Sequence, residues 1–291
     1  MTPPSQANYL LIDGASRPGA LVGLYQRHEV FEIDPLYLST RWKALYELGP
    51  ILVKPLSGSA LLSDWLVDEA LWADSTLIFS EASIQELANH LRRLITPPDC
   101  SGGSGLLRFA DPLVVHFWLS SFSESDNLHL GPIQHWWMVK PKQAWESRCQ
   151  PPWQTFSGRD TGLPWDNRYA LLGPQQVLAL ERAQYWQFLG RVHAWLSERN
   201  PSFFLGMSGL QVTAWLDSSL TAGLQWGLAT ERGLVIWMEA CADDGQDFAT
   251  RPHGRYNSWL TLAPAHARLP PEARIDAFDA HRYAQKDNAR G

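Results

Sequence analysis

Short apolar runs alternate with helix-like stretches through the first half of the chain. Tyr9-Leu-Leu-Ile-Asp13, Ile51-Leu-Val-Lys-Pro55, Thr76-Leu-Ile-Phe79 and Leu106-Leu-Arg-Phe-Ala110 are each bounded by Gly, Pro, Ser or Asp, as buried strands are. Val30 to Ile33 has the same character, and the stretch Gly131 to Val139 reads as an edge strand. Between them lie helix signals. Pro18 opens a helix to about Arg27, and Ser57 or Ser59 caps one carrying Leu61, Leu62, Trp65 and Leu66. Ser83-Ile-Gln-Glu86 is a capping box ahead of Leu87, Leu91 and Leu94, with Arg92 and Arg93 where the helix dipole favours cations. Asp111-Pro112 starts another helix through Leu119, with an acceptor for free first-turn N–H groups and a proline that forfeits no bond. Strands joined through helices predict an α/β lobe over residues 8–140 with a largely parallel or mixed sheet.

Residues 141–174 lose this periodicity. They are rich in proline and hold Trp145, Trp153 and Trp165, so they read as a connector that packs on something. From residue 175 to 283 the pattern is helical throughout, giving an all-helical second lobe. Leu178, Tyr185, Leu189, Val192 and Leu196 form one stripe opposite Gln184, Gln187, Arg191 and Glu198. Val212, Leu216, Leu220 and Leu224 mark a second helix, Thr230-Glu231 caps a third, and Pro270 to Arg282 is the last.

Composition narrows the function classes. A hydrophobic share of 45% against 19% charged marks a globular chain. The net charge of −6, with no Lys/Arg block, argues against a nucleic-acid partner. Apolar runs reach only about ten residues, too short to span a bilayer, so no membrane partner is expected. The N-terminus shows no basic region leading to an apolar one, and a soluble, cytoplasmic protein is expected. Cys100, Cys149 and Cys241 are too scattered for a disulfide framework or metal knuckle. The nine histidines form no HxH or HExxH pair, so neither a metal nor another cofactor is expected. No GxSxG elbow occurs, and the loop Pro97 to Gly105 follows a helix and lacks lysine, unlike a phosphate cradle. One constellation stays open: Asp13 and Asp111 both lie just past strand ends, where open α/β sheets bind ligands, and would serve a metal-dependent enzyme. Each also has a plain structural use, as a turn and as a helix cap. The 15 tryptophans are several times the usual share: any one of them reads first as a core residue, but placing all of them inside is hard, which leaves some ring surface for a partner.

Six segments in order carry a resemblance. They are Tyr9-Leu-Leu-Ile-Asp-Gly-Ala15, Gly49-Pro-Ile-Leu-Val53, Leu61-Leu-Ser-Asp-Trp-Leu66, Leu87-Ala-Asn-His-Leu-Arg-Arg-Leu94, Leu107-Arg-Phe-Ala-Asp-Pro112 and Gly131-Pro-Ile-Gln-His-Trp136. Over about residues 8–140 the chain resembles the effector adaptor, or chaperone, family of bacterial type VI secretion. The helical half, with Ala222-Gly-Leu-Gln-Trp-Gly-Leu228, is similar to the tail of many such adaptors. The resemblance implies a non-enzyme that binds a cognate toxic effector in the cytoplasm and helps load it onto the secretion spike protein. For that role Trp136, Trp137, Trp145, Trp153 and Trp165 are the candidate partner-binding residues.

Overall fold

The computed structural model describes residues 6–27, 29, 31–56, 58–123, 127–147, 153–158 and 164–288. The expected start of a strand at Val30, the cap alternative at Ser57 and the cysteine at Cys149 lie outside them. The chain divides into two compact units, Met1–Lys142 with Arg148–Gln184, and Gln143–Ser147 with Tyr185–Gly291.

The first unit is built on one six-stranded sheet. Its strands are β1 (Tyr9–Asp13), β2 (Phe31–Pro35), β3 (Pro50–Pro55), β4 (Ser75–Phe79), β5 (His135–Val139) and β6 (Trp153–Ser157). They lie in the order β2-β3-β1-β4-β5-β6, and every neighbouring pair is antiparallel. The parallel or mixed sheet expected from the strand–helix alternation is therefore wrong. Two helices account for the misreading: α1 (Ala20–Gln26) joins β1 to β2, and α2 (Leu61–Val67) lies between β3 and β4. The joined strands do run in the same direction, but β3 sits between β1 and β2, and β1 sits between β3 and β4. Each helical crossover skips a place, and an antiparallel strand fills the gap.

The continuous apolar strands report burial on both faces rather than strand direction. On one face Tyr9, Leu11, Leu52, Ile78 and Trp136 pack under α3 (Ile84–Arg93) and α4 (Pro112–Leu119), through Leu87, Leu91, Val115 and Trp118. On the other, Leu10, Ile12, Ile51, Val53 and Leu77 meet Leu21 and Leu24 of α1 and Leu61 and Trp65 of α2. The cap expected at Ser59 is not the N-cap of α2, which is Ala60 with no side-chain cap, although Ser59 Oγ accepts from Leu61 N–H at 3.2 Å. The caps of α3 and α4 are present. Ser83 and Glu86 form the capping box of α3, and the Asp111 carboxylate accepts from the N–H groups of Leu113 and Val114.

Three further expectations need correction. Leu106 to Ala110 is not a strand. Phe109 and Ala110 are buried, but Leu107 N–H donates to the Ile95 carbonyl, and the chain then turns at Arg108 into α4. Apolar burial without a ladder looks like a strand in sequence. β5 is not an edge, because β6, from the supposed connector, pairs with it from Val139↔Trp153 to His135↔Ser157. The predicted inward stripe fails at Leu178 and Tyr185, which are both exposed, and at Leu224 on the next helix. The loop after α3 closes like a hairpin, with Pro98 opposite Ser104 and the Asp99 carboxylate accepting from Ser101 and Gly103 N–H groups.

The second unit is helical: the later part of α5 (Pro174–Arg199), then α6 (Gly209–Trp226), α7 (Glu231–Asp244), α8 (Arg255–Leu262) and α9 (Pro271–Asn288). Its core gathers Leu189, Val192, Leu216, Trp237, Phe248, Trp259 and Phe278. Gly223 brings α6 close to α7, since a side chain there would meet the Trp237 ring at 3.0 Å.

Candidate functional site

The fold does bring Asp13 and Asp111 together, although they lie far apart in sequence. Asp13 ends β1, and its carboxylate accepts from Ser16 Oγ at 2.6 Å. Arg108, on the turn before α4, donates from Nη2 to the same Asp13 oxygen, and that nitrogen lies 3.6 Å from Asp111 Oδ2. A guanidinium therefore sits between the two carboxylates, where a shared metal ion would need to be. Asp111 spends its other oxygen on the α4 N-terminus. Burial pushes its carboxyl above the usual range, the nearby Arg108 opposes that shift, and Asp13 adds to it. Beside this corner Arg17 pairs with Asp74 at 2.7 Å. Among the described residues no group of three or more His, Cys, Asp or Glu side chains is placed to hold a metal ion.

These contacts make the corner a tie between β1 and α4. Arg108→Gln is expected to cost about 2 kcal/mol at pH 7, because two buried carboxylates lose a charged donor. Without the cation the Asp111 carboxyl, already raised by burial, loses the charge that opposes the shift, so the deficit should shrink as acid protonates it. Urea unfolding of both chains at pH 7 and at lower pH checks this, and an unchanged midpoint at pH 7 would refute it.

The tryptophans are mostly structural. Six are buried, eight are half-buried, and Trp195 alone is exposed. Trp136 is wholly buried, with Nε1 donating to Thr76 Oγ1 at 2.9 Å and its ring edge-on to Phe109. Trp153 is buried and belongs to a ring trio, 5.5 Å from the buried Trp65 and 5.8 Å from the half-buried Trp72 between ring centroids. Trp137 is half-buried on the opposite face of β5 from Trp136, beside His135. Trp145 is half-buried in the second unit, bonded through Nε1 to Thr213 Oγ1. Trp165 is half-buried too: it bonds Asn167, lies under the Arg93 guanidinium and packs edge-on to His90. Ring count in a sequence does not separate these cases. Alternation does so only along β5, where adjacent tryptophans must point to opposite faces.

The ring behind Trp165 has its own consequence. His90 is buried, its Nε2 lies 3.1 Å from the His129 carbonyl, and Gly131, at positive φ, leaves room for it. Burial lowers the His90 pKa to about 4; the His129 carbonyl opposes this and Arg93 reinforces it. The folded protein thus holds His90 neutral where the unfolded chain, with an ordinary value near 6.5, binds a proton. Stability from this group is complete above about pH 6.5 and falls with acid to about pH 4, by about 3 kcal/mol in all. His90→Gln should flatten that limb of a stability-versus-pH curve, and an unchanged slope between pH 6.5 and 4 would refute the assignment.

No helix among the described residues is long and apolar enough to cross a membrane. Large apolar side chains are nevertheless exposed on both units, among them Tyr25 and Val67 on the first and Leu205, Leu210 and Leu262 on the second.

Comparison with known proteins adds the following. Residues 8–127 match the domain of unknown function DUF4123. The chain is 29% identical over 279 residues to the accessory protein VasW of Vibrio cholerae, covering 92% of this chain and 85% of VasW. No solved structure matches it.

Proposed function

We propose, for a chain whose residues 8–127 match DUF4123 and which is similar to VasW, that it acts in bacterial type VI secretion, binds a cognate toxic effector in the cytoplasm and promotes its loading onto the secretion spike. The observation that carries the proposal is the likeness to VasW along nearly the whole chain, helical half included. It bears out the resemblance read from the six segments and associates the protein with type VI secretion.

The structure is compatible with a binding role without catalysis. The Asp13–Asp111 corner holds Arg108 between its carboxylates, and the exposed apolar side chains offer surface that an effector can cover. In the first unit, Trp137 and Trp165 keep part of their rings accessible and are the tryptophans assigned to direct contact. Trp136 and Trp153 support them from inside the fold.

Co-expression with the toxin-like protein encoded beside it, followed by size-exclusion chromatography, tests the proposal. A co-eluting complex, with the toxin insoluble alone, is the expected result. A monomer that neither retains nor solubilises the toxin would refute it.

A further inference from the structure

Five residues between two stretches of the first unit, Gln143–Ser147, pack as part of the second unit. They lie on α5 and α6 and make contacts of the kind a bound peptide makes. Gln143 is buried, and its Nε2 donates to the Trp186 carbonyl at 2.8 Å. The Trp145 ring lies 4.5 Å from the His193 ring, which stacks in turn on Phe204. Thr213 donates its hydroxyl proton to the Gly209 carbonyl, so its oxygen is turned to accept Trp145 Nε1–H at 2.9 Å. Two glycines admit the segment. A side chain at Gly209 would come within 2.8 Å of the Trp145 carbonyl oxygen, and one at Gly190 within 3.1 Å of Gln143 Oε1.

The geometry points to a docking site on the second unit for an extended segment with one aromatic anchor, held in the free chain by its own residues Gln143–Ser147 and surrendered to the effector. The seated segment defines the chemistry: an amide that bonds a helix carbonyl and, two residues on, an indole that enters the His193–Thr213 pocket. Leu205 and Leu210, adjoining Phe204 and Gly209 in the chain, are 76% and 85% exposed. An effector segment with apolar residues flanking its aromatic anchor would cover them as well, and that extra burial lets it compete with a tethered strap at high effective concentration. This assignment rests on the adaptor reading for the identity of the partner, but not for the existence of the site.

The test uses the full chain and a fluorescently labelled peptide spanning residues 141–147. Trp145→Ala empties the pocket, so the peptide should bind that variant at least about tenfold more tightly than it binds the unmutated chain, whose strap competes. The Trp145→Ala form of the peptide should bind neither. Equal binding to both chains, or none to a folded variant, would overturn the site. If Trp145→Ala does not fold, Gln143→Ala, which loosens the strap without emptying the pocket, should bind more tightly than the unmutated chain. Hydrogen exchange gives a second measure. Amides of 143–147 should lose protection when the effector binds while those of 203–213 keep theirs, and no change in 143–147 would overturn the exchange of occupants. An effector that co-elutes with the chain, together with a peptide that ignores the emptied variant, sinks the site and leaves the adaptor reading standing. A bound peptide with no effector complex overturns the choice of partner.

Discussion

Replacing Arg282 by methionine should lower the stability of the helical unit by about 2–3 kcal/mol, because three half-exposed carboxylates lose the guanidinium they share. Arg282, on α9, is 1% exposed. It bonds Asp243 at 2.5 Å and Asp279 at 3.4 Å, with Asp244 at 3.9 Å. Two of those carboxylates lie in the last turn of α7, where the helix dipole already disfavours negative charge. One guanidinium thus offsets part of the charge of two aspartates at a helix C-terminus and of a third on its own helix. Lysine would not substitute, since a compact ammonium cannot meet three carboxylates from one position.

The pH dependence gives the check its sign. Even with Arg282 in place, burial raises the Asp279 pKa, an effect Arg282 opposes. Without the cation the folded-state pKa of Asp279 rises further. The deficit of Arg282→Met is then full at neutral pH and recedes as acid protonates that carboxyl. Urea unfolding at pH 7 and pH 5, with hydrogen exchange read on α7 and α9, measures both the size and the recession. A midpoint within error of the parent at pH 7 would sink the prediction.

Local chemistry was legible in the sequence, and partners across the chain were not. Ser83 with Glu86, Asp111 before Pro112, and Thr230 each announce a helix start because the cap and the N–H it serves lie within three residues. Strand positions 9–13, 51–55 and 76–79 were equally plain, since a run buried on both faces has to be apolar throughout. Strand order was hidden for a physical reason: a helix between two strands fixes their relative direction but not whether a third strand sits between them. The turn at Arg108 imitated a strand because Phe109 and Ala110 are buried without a ladder. Its tie to Asp13 spans 95 residues, and no local pattern carries such a contact. Leu178 and Tyr185 matched a helical stripe yet face outward, for periodicity names a face without saying what covers it. The edge strand Trp153–Ser157 was masked by the prolines around it.

Trp136→Ala carries the other large expected effect and bears on how any interface is mapped. The side chain is wholly buried between Phe109 and the sheet, so its loss should cost about 3–5 kcal/mol in transfer and cavity terms. The buried Thr76 hydroxyl would also lose the indole N–H it accepts, worth about a further 1 kcal/mol or more. Trp136→Phe should recover most of the packing but not that bond. Thermal and urea unfolding of the two variants checks the ranking, and an alanine variant as stable as the parent would refute it. The destabilised Trp136→Ala would also lose the effector in a pull-down with no part of Trp136 in the interface, simply because the sheet that presents Trp137 has loosened. Trp165→Ala makes the opposite case: its ring is half-buried, its indole bond to Asn167 is at the surface, and its removal should cost less than about 1.5 kcal/mol. A drop in effector retention by Trp165→Ala at unchanged unfolding midpoint therefore reports contact, whereas the same drop from Trp136→Ala reports only that the scaffold has failed.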